Sequence, residues 1–168
     1  LPYFLKPKIS VKLIRLGSKN DGGYFVPKKL ILISENLICF GLGFNWDFEK
    51  DFLKYNKLCK LVIYDHTINY FTLIVNFFKS LFFSVRYRKE PGKIFKILNY
   101  MMFFRGYRAI HKKNKIGSVN IKKNRQINVE DILRNKKKIF LKIDIEGDEY
   151  KILDKITKYQ KNILCLVI

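Results

Sequence analysis

The sequence predicts an α/β fold: a mostly parallel sheet with helices on both faces. Three observations carry this. First, Leu37–Gly41, Leu61–Tyr64 and Ile139–Ile143 are apolar runs, broken only at Lys142, the pattern of strands covered on both sides. Second, helical patterns separate these runs, and strand–helix–strand alternation indicates parallel pairing. Third, each run ends at glycine or runs into aspartate (Gly41, Asp65, Asp144), and ligands of such sheets bind beyond the strand C-terminal ends.

The elements follow in order. Residues 1–36 form an N-terminal segment that leads into a core at 37–168. Within it, Asp21-Gly22-Gly23-Tyr24 is a turn signal whose two glycines permit unusual backbone angles. After the first strand, Asn45 or Asp47 can cap a helix running to about Asn56, with Asp47, Glu49 and Asp51 near its N-terminal dipole. The second strand is followed by a helix over Ile68–Phe83. Pro91-Gly92 breaks the chain, and a basic amphipathic helix spans Lys93–Phe104. Residues 105–126 are basic and show only Gly106 and Gly117 as turn signals. Val129–Asn135 reads as a short helix, Asp148–Tyr159 as another, and Ile163–Ile168 as a last strand. That strand pattern stops without a turn, so the sheet is expected to lack its C-terminal strands.

The chain has 168 residues, which suits one domain with one core. Its composition, 48% hydrophobic and 15% aromatic, excludes a disordered chain. The formal net charge is +20, from 34 basic and 14 acidic residues. Of the basic residues 27 are lysine and 7 arginine, whereas base-reading proteins lean on arginine. The charge is concentrated: residues 66–129 hold 14 basic residues and one acid, Glu90. Such a field attracts anionic partners, including phosphates, acidic glycans and lipid surfaces. Cys39, Cys59 and Cys165 stand far apart without metal-ligand spacing, which fits a reduced, cytoplasmic setting. The apolar stretch Ile68–Val85 is broken by Asn69, Asn76, Lys79 and Ser80, so it reads as a core or interface helix and not as a membrane span.

Three segments carry the chemistry. In Phe40-Gly41-Leu42-Gly43-Phe44-Asn45, a glycine pair directly after a strand lets the backbone turn tightly and approach a ligand. Asp65 stands 22 residues after Gly43, at the tip of the next strand, where a carboxylate can accept from both hydroxyls of a ribose. Trp46 occupies the last glycine position of a dinucleotide fingerprint, which disfavours a pyrophosphate ligand. In the third segment, Asp144, Glu146, Asp148 and Glu149 place four carboxylates within six residues. Asp148 and Glu149 suit the first turn of a helix, whereas Asp144 and Glu146 face the ligand crevice. No full set of metal ligands is visible. His66 could touch a ligand or act as a base. His111, between Ile110 and Lys112, reads as a surface residue.

Leu141-Lys142-Ile143-Asp144-Ile145-Glu146-Gly147-Asp148-Glu149-Tyr150 resembles the acidic signature of FkbM-type methyltransferases. Three further segments look like that family in order: Arg15–Tyr24, Phe40–Glu49 and Tyr64–Thr67. The resemblance runs from about residue 15 to 168. It implies a Rossmann-like class I methyltransferase fold, S-adenosyl-L-methionine as methyl donor, and O-methylation of sugars and related hydroxyls, often in surface polysaccharide pathways. It places Gly41 and Gly43 in the donor loop, with Phe40 and Asn45 flanking them. It also places Asp65, His66 and Thr67 at the ribose, and Asp144 and Glu146 near the reaction centre. On this reading Asp21, Gly22, Gly23 and Tyr24 form a loop over the donor, and Asp144, Glu146 and His66 are the candidate catalytic groups. The family's usual acid before the glycine loop is replaced by Cys39-Phe40, and the chain stops before the family's Glu-Phe-His-like segment.

Two rival classes share some of these features. One is another nucleotide-binding Rossmann enzyme. The other is a nucleic-acid or anionic-surface module driven by the basic block. A combined reading has that block dock an anionic or lipid-linked glycan acceptor, with peripheral membrane contact.

Overall fold

The computed structural model describes residues 11–19, 22–68, 94–106, 108–145 and 147–168, with the isolated positions 71, 74–75 and 78–79. The expected helix over Ile68–Phe83, along with Asp21 and Glu146, lies largely or wholly outside them.

A five-stranded parallel sheet organises the fold. Its strands are β3 (Asn36–Phe40), β4 (Lys60–Tyr64), β5 (Ala109–Lys112), β8 (Ile139–Ile143) and β9 (Ile163–Val167), in the spatial order β5-β4-β3-β8-β9. The three apolar runs of the sequence are thus the three central strands. β3 lies between β4 and β8 and pairs with both in parallel, so Phe40 is level with Tyr64 on one side and Ile143 on the other.

Strand alternation divides the core into two layers. Leu37, Cys39, Leu61, Ile63 and Phe140 point to one face, where they meet Ile31, Trp46, Phe48, Phe52 and Tyr100. These come from α1 (Lys28–Ile33), α2 (Asp47–Tyr55) and α3 (Ile94–Phe104). Ile38, Phe40, Leu141 and Ile143 point to the other face, against Val129, Ile132, Leu133, Ile152 and Ile156. There the cover is α4 (Val129–Leu133) and α5 (Leu153–Thr157).

At four places the structure goes beyond the sequence reading or corrects it. Within the N-terminal segment, β1 (Leu13–Leu16) and β2 (Tyr24–Pro27) pair antiparallel, and α1 follows. These strands are only four residues long, too short for a periodicity signal. Residues 105–126 contain β5 and β6 (Lys115–Gly117), and β6 pairs with β7 (Gln126–Asn128). The expected helix Asp148–Tyr159 is two pieces, a 3-10 turn at Asp148–Lys151 and then α5. The cause is local: Glu149 turns back to bind the backbone N–H groups of Ile145 (2.9 Å) and Gly147 (2.6 Å), so it closes the turn and starts no regular helix. The fourth place is His111, a correction that belongs to the site.

Among the described residues no helix is long and apolar enough to cross a membrane.

Candidate functional site

The C-terminal ends of β4, β3 and β8 open into one cleft of about 560 Å³, a size typical of small-molecule pockets. Gly22, Tyr24, Gly41, Gly43, Asn45, Asp65, His66, Thr67 and Asp144 all line it. These residues come from four separate stretches of chain, and the parallel sheet brings them together. Phe40 and Gly23 do not line it. Phe40 is fully buried and stacks edge-on against Tyr64, and Gly23 is wedged against the Ser18 carbonyl and the Arg15 guanidinium.

The floor is the turn after β3. Gly41 has φ +86°, and a Cβ there would stand 1.9 Å from the Asp144 carbonyl oxygen. Only glycine lets the post-β3 and post-β8 turns touch. Gly43, also at positive φ, differs: a Cβ there would meet nothing within 4 Å, so its position opens into the cleft.

Asp65 fastens this floor. One carboxylate oxygen accepts from the N–H groups of Leu42 (2.8 Å) and Gly43 (3.2 Å). The other accepts from the Thr67 N–H and hydroxyl (both 2.6 Å) and the Ile68 N–H (3.2 Å). Five donors fill a carboxylate that offers about four lone-pair sites. The side chain is buried, which by itself would raise its pKa. The Thr67 hydroxyl and the N–H groups of Leu42, Thr67 and Gly43 outweigh burial and hold it below the usual carboxylate value. A carboxylate whose pKa is depressed on folding stabilises the fold above its unfolded pKa of about 3.9, and that stability is lost as pH falls through the folded value. Asp65→Asn should therefore cost about 1–3 kcal/mol at neutral pH, by leaving buried N–H groups without an acceptor. It should also flatten the loss of stability below about pH 4. Urea unfolding from pH 2 to 7 reads both effects; an unaltered acid limb would remove the latch role.

Opposite Asp65, Asp144 is exposed, and its carboxylate has no hydrogen bond or ion pair among the described residues. His66 is likewise exposed on the cleft wall. Of the two remaining described acids of the signature, Glu149 closes the turn as above, and Asp148 pairs with Lys115 at 2.9 Å and with Lys151. Among the described residues no three histidine, cysteine, aspartate or glutamate side chains gather as a metal site would.

Three features escaped the sequence reading. His111 is not a surface residue. It is half-buried, accepts from the Tyr100 hydroxyl at Nδ1, and donates from Nε2 to the Asp65 carbonyl at 3.0 Å. Burial holds it below the ordinary imidazole pKa, so it stays neutral and supports Asp65 from behind. The signal was present: Ala109, buried, and His111, half-buried, share a strand face, while Ile110 and Lys112 are exposed.

The second feature is Lys142, 2% exposed, whose Nζ lies 3.0 Å from the fully buried Glu49 Oε1 of α2. Burial opposes its charge, but Glu49 more than offsets this and holds its pKa above the usual lysine value. The ammonium also lies 5.7 Å from the Tyr24 ring centre and 5.4 Å from that of Phe48. A lone lysine in an apolar strand covered on both faces must find such a partner.

The third feature is the Asn114-Lys115-Ile116 stretch, which closes the cleft from the face that carries α4 and α5.

The chain matches no protein-family model, no curated protein and no solved structure.

Proposed function

We propose that the chain is an S-adenosylmethionine-dependent O-methyltransferase of the FkbM type, acting on a sugar or glycan hydroxyl. One observation supports this above the others: the glycine turn after β3, the acid after β4 and the acid after β8 share one cleft. An adenosyl sulfonium has a ribose, a positive centre and no pyrophosphate. The cleft fits each of these properties. Gly43 leaves open space above the floor. Asp144 offers an exposed carboxylate to a cationic ligand. Trp46, 3% exposed, fills the helix start where a dinucleotide pyrophosphate would need a glycine.

The donor, when bound, supplies an activated methyl group; the residues of this chain align and deprotonate. Asp65 holds the floor rigid. Of its five donors only the Thr67 hydroxyl is a rotatable side-chain group, so a ribose hydroxyl binds Asp65 by taking that position. Tyr24, set edge-on against Phe48 with ring centres 5.5 Å apart, walls the cleft on the hairpin side. Asp144 and His66 are the groups able to take the proton of an acceptor hydroxyl, and Glu146 is a third candidate by sequence. The proposal sets the chain in the cytoplasm, where Cys39, Cys59 and Cys165, all free thiols here, stay reduced.

Calorimetry with S-adenosylhomocysteine and with NAD tests the assignment. We expect saturable binding of S-adenosylhomocysteine and, for NAD, an affinity at least tenfold weaker, a gap of about 1.4 kcal/mol. Tighter binding of NAD would transfer the cleft to the dinucleotide class.

A further inference from the structure

We propose that the acceptor is an acidic saccharide, held through its carboxylate or phosphate groups by a basic ridge that borders the cleft. The inference rests on the methyltransferase reading for the hydroxyl chemistry, but the ridge stands on its own observations.

The ridge is the stretch 109–128, which holds six lysines and arginines and no acid. Elsewhere some surface lysines find acids (Lys54 with Asp51 at 2.9 Å, Lys138 with Glu35 at 2.7 Å, Lys158 with Glu130 at 2.9 Å), while Lys57, Lys60 and Lys137 are exposed without one among the described residues. On the ridge, Lys112, Lys122, Lys123 and Arg125 are exposed and pair with no acid among the described residues. What sets the ridge apart is that its twenty residues contain no acid at all.

The ridge is also tied to the cleft. The Asp65 N–H donates to the Lys112 carbonyl at 3.1 Å, and the Lys112 ammonium lies 5.5 Å from the centre of the Tyr64 ring, a cleft wall. Asn114 lines the cleft, and its side-chain amide donates to the Arg125 carbonyl at 3.0 Å. That bond fastens the turn carrying Lys122, Lys123 and Arg125 to the cleft rim. The inference sets the anionic groups of a ligand whose hydroxyl reaches Asp144 over these cations, which stand beside the cleft without lining it.

The side-chain inventory selects the ligand class. Residues 109–128 contain no phenylalanine, tyrosine or tryptophan on which bases could stack. Of their amides, Asn114, Asn120, Gln126 and Asn128 bond to nearby backbone or to Asp131, and the exposed Asn124 is suited to a sugar hydroxyl.

The test uses the whole chain and four probes: an oligogalacturonate hexamer, a phosphorylated mannose hexamer, the neutral maltohexaose and a short oligo-dT. Two variants are compared. K112Q/K122Q/K123Q removes three ridge charges, and K57Q/K60Q/K137Q removes three charges at the opposite ends of the strands. The inference expects at least one acidic saccharide to bind while maltohexaose does not. It expects the ridge variant to lose about tenfold or more at low salt, as three exposed ion pairs are removed, and the control variant to stay within about twofold. Affinity for S-adenosylhomocysteine should be unchanged in both. Comparable binding of oligo-dT, equal loss in the control variant, or binding of maltohexaose would each overturn the inference. If wild type binds acidic saccharide but no S-adenosylhomocysteine, the donor assignment fails and the ridge stands.

Discussion

Lys142→Met should destabilise the chain by about 3–5 kcal/mol, the usual cost of leaving one member of a buried ion pair uncompensated. Glu49 is fully buried and Lys142 nearly so, and the second Glu49 oxygen has no hydrogen-bond partner among the described residues. Without the ammonium, the Glu49 charge would face Cys39, Phe48 and Phe140 in the core. Burial and then the Glu49 charge push the Cys39 thiol well above its ordinary pKa, and a thiol has no cationic form that could compensate Glu49. The double variant Lys142→Met, Glu49→Leu should recover most of the loss, because it removes both charges together. Urea unfolding of the four species gives the coupling directly. A loss below about 1 kcal/mol for the single variant would mean that the pair is not sealed from water.

Gly41→Ala should be nearly as damaging, by a different route. A β-carbon at φ +86° carries a left-handed penalty of about 1–2 kcal/mol. It would also stand 1.9 Å from the Asp144 carbonyl, and overpacking of this kind costs about 1–3 kcal/mol more. The two turns must then move apart, which takes Asp144 away from Gly43 and Asp65. The variant should therefore lose stability and ligand affinity together. Gly43→Ala is the matched control: it shares the positive φ, but its added carbon projects into open space. It should lose affinity with a smaller change in stability, and equal destabilisation by both variants would contradict the contact argument.

The parts of this fold legible in the sequence are those whose signal is local and strong. Ile139–Ile143 and Leu61–Tyr64 announce buried strands because covering both faces of a parallel sheet demands apolar residues nearly throughout, Lys142 being the exception here. The segment 105–126 was opaque for the converse reason. β5 is an edge strand of four residues, Ala109–Lys112, whose outward positions are free to be basic. The hairpin at Leu13–Pro27 pairs four residues with four and buries mainly Leu16 and Val26, too little for an alternating pattern to stand out.

The site divides in the same way. Residues immediately after strands could be named, because a parallel sheet delivers them to one end. What each carboxylate does there could not be read from spacing. Asp65, Asp148 and Glu149 look alike in the sequence; in the structure one latches the glycine turn, one is held by Lys115 and Lys151, and one closes the turn after β8. Those roles are set by partners from 2 (Thr67 to Asp65) to 33 positions away (Lys115 to Asp148), and pairs such as Lys142 with Glu49, 93 positions apart, have no local signature.

The central claim is that the cleft above Gly41 takes an adenosyl sulfonium. Backbone amide resonances of the labelled chain, followed during titration with S-adenosylhomocysteine, test it most directly. The account predicts saturable shifts at Gly41, Gly43, Thr67 and Ile145, with Lys57 and Lys136 silent. Shifts centred on Lys57 and Lys136, or none at millimolar ligand, would contradict it.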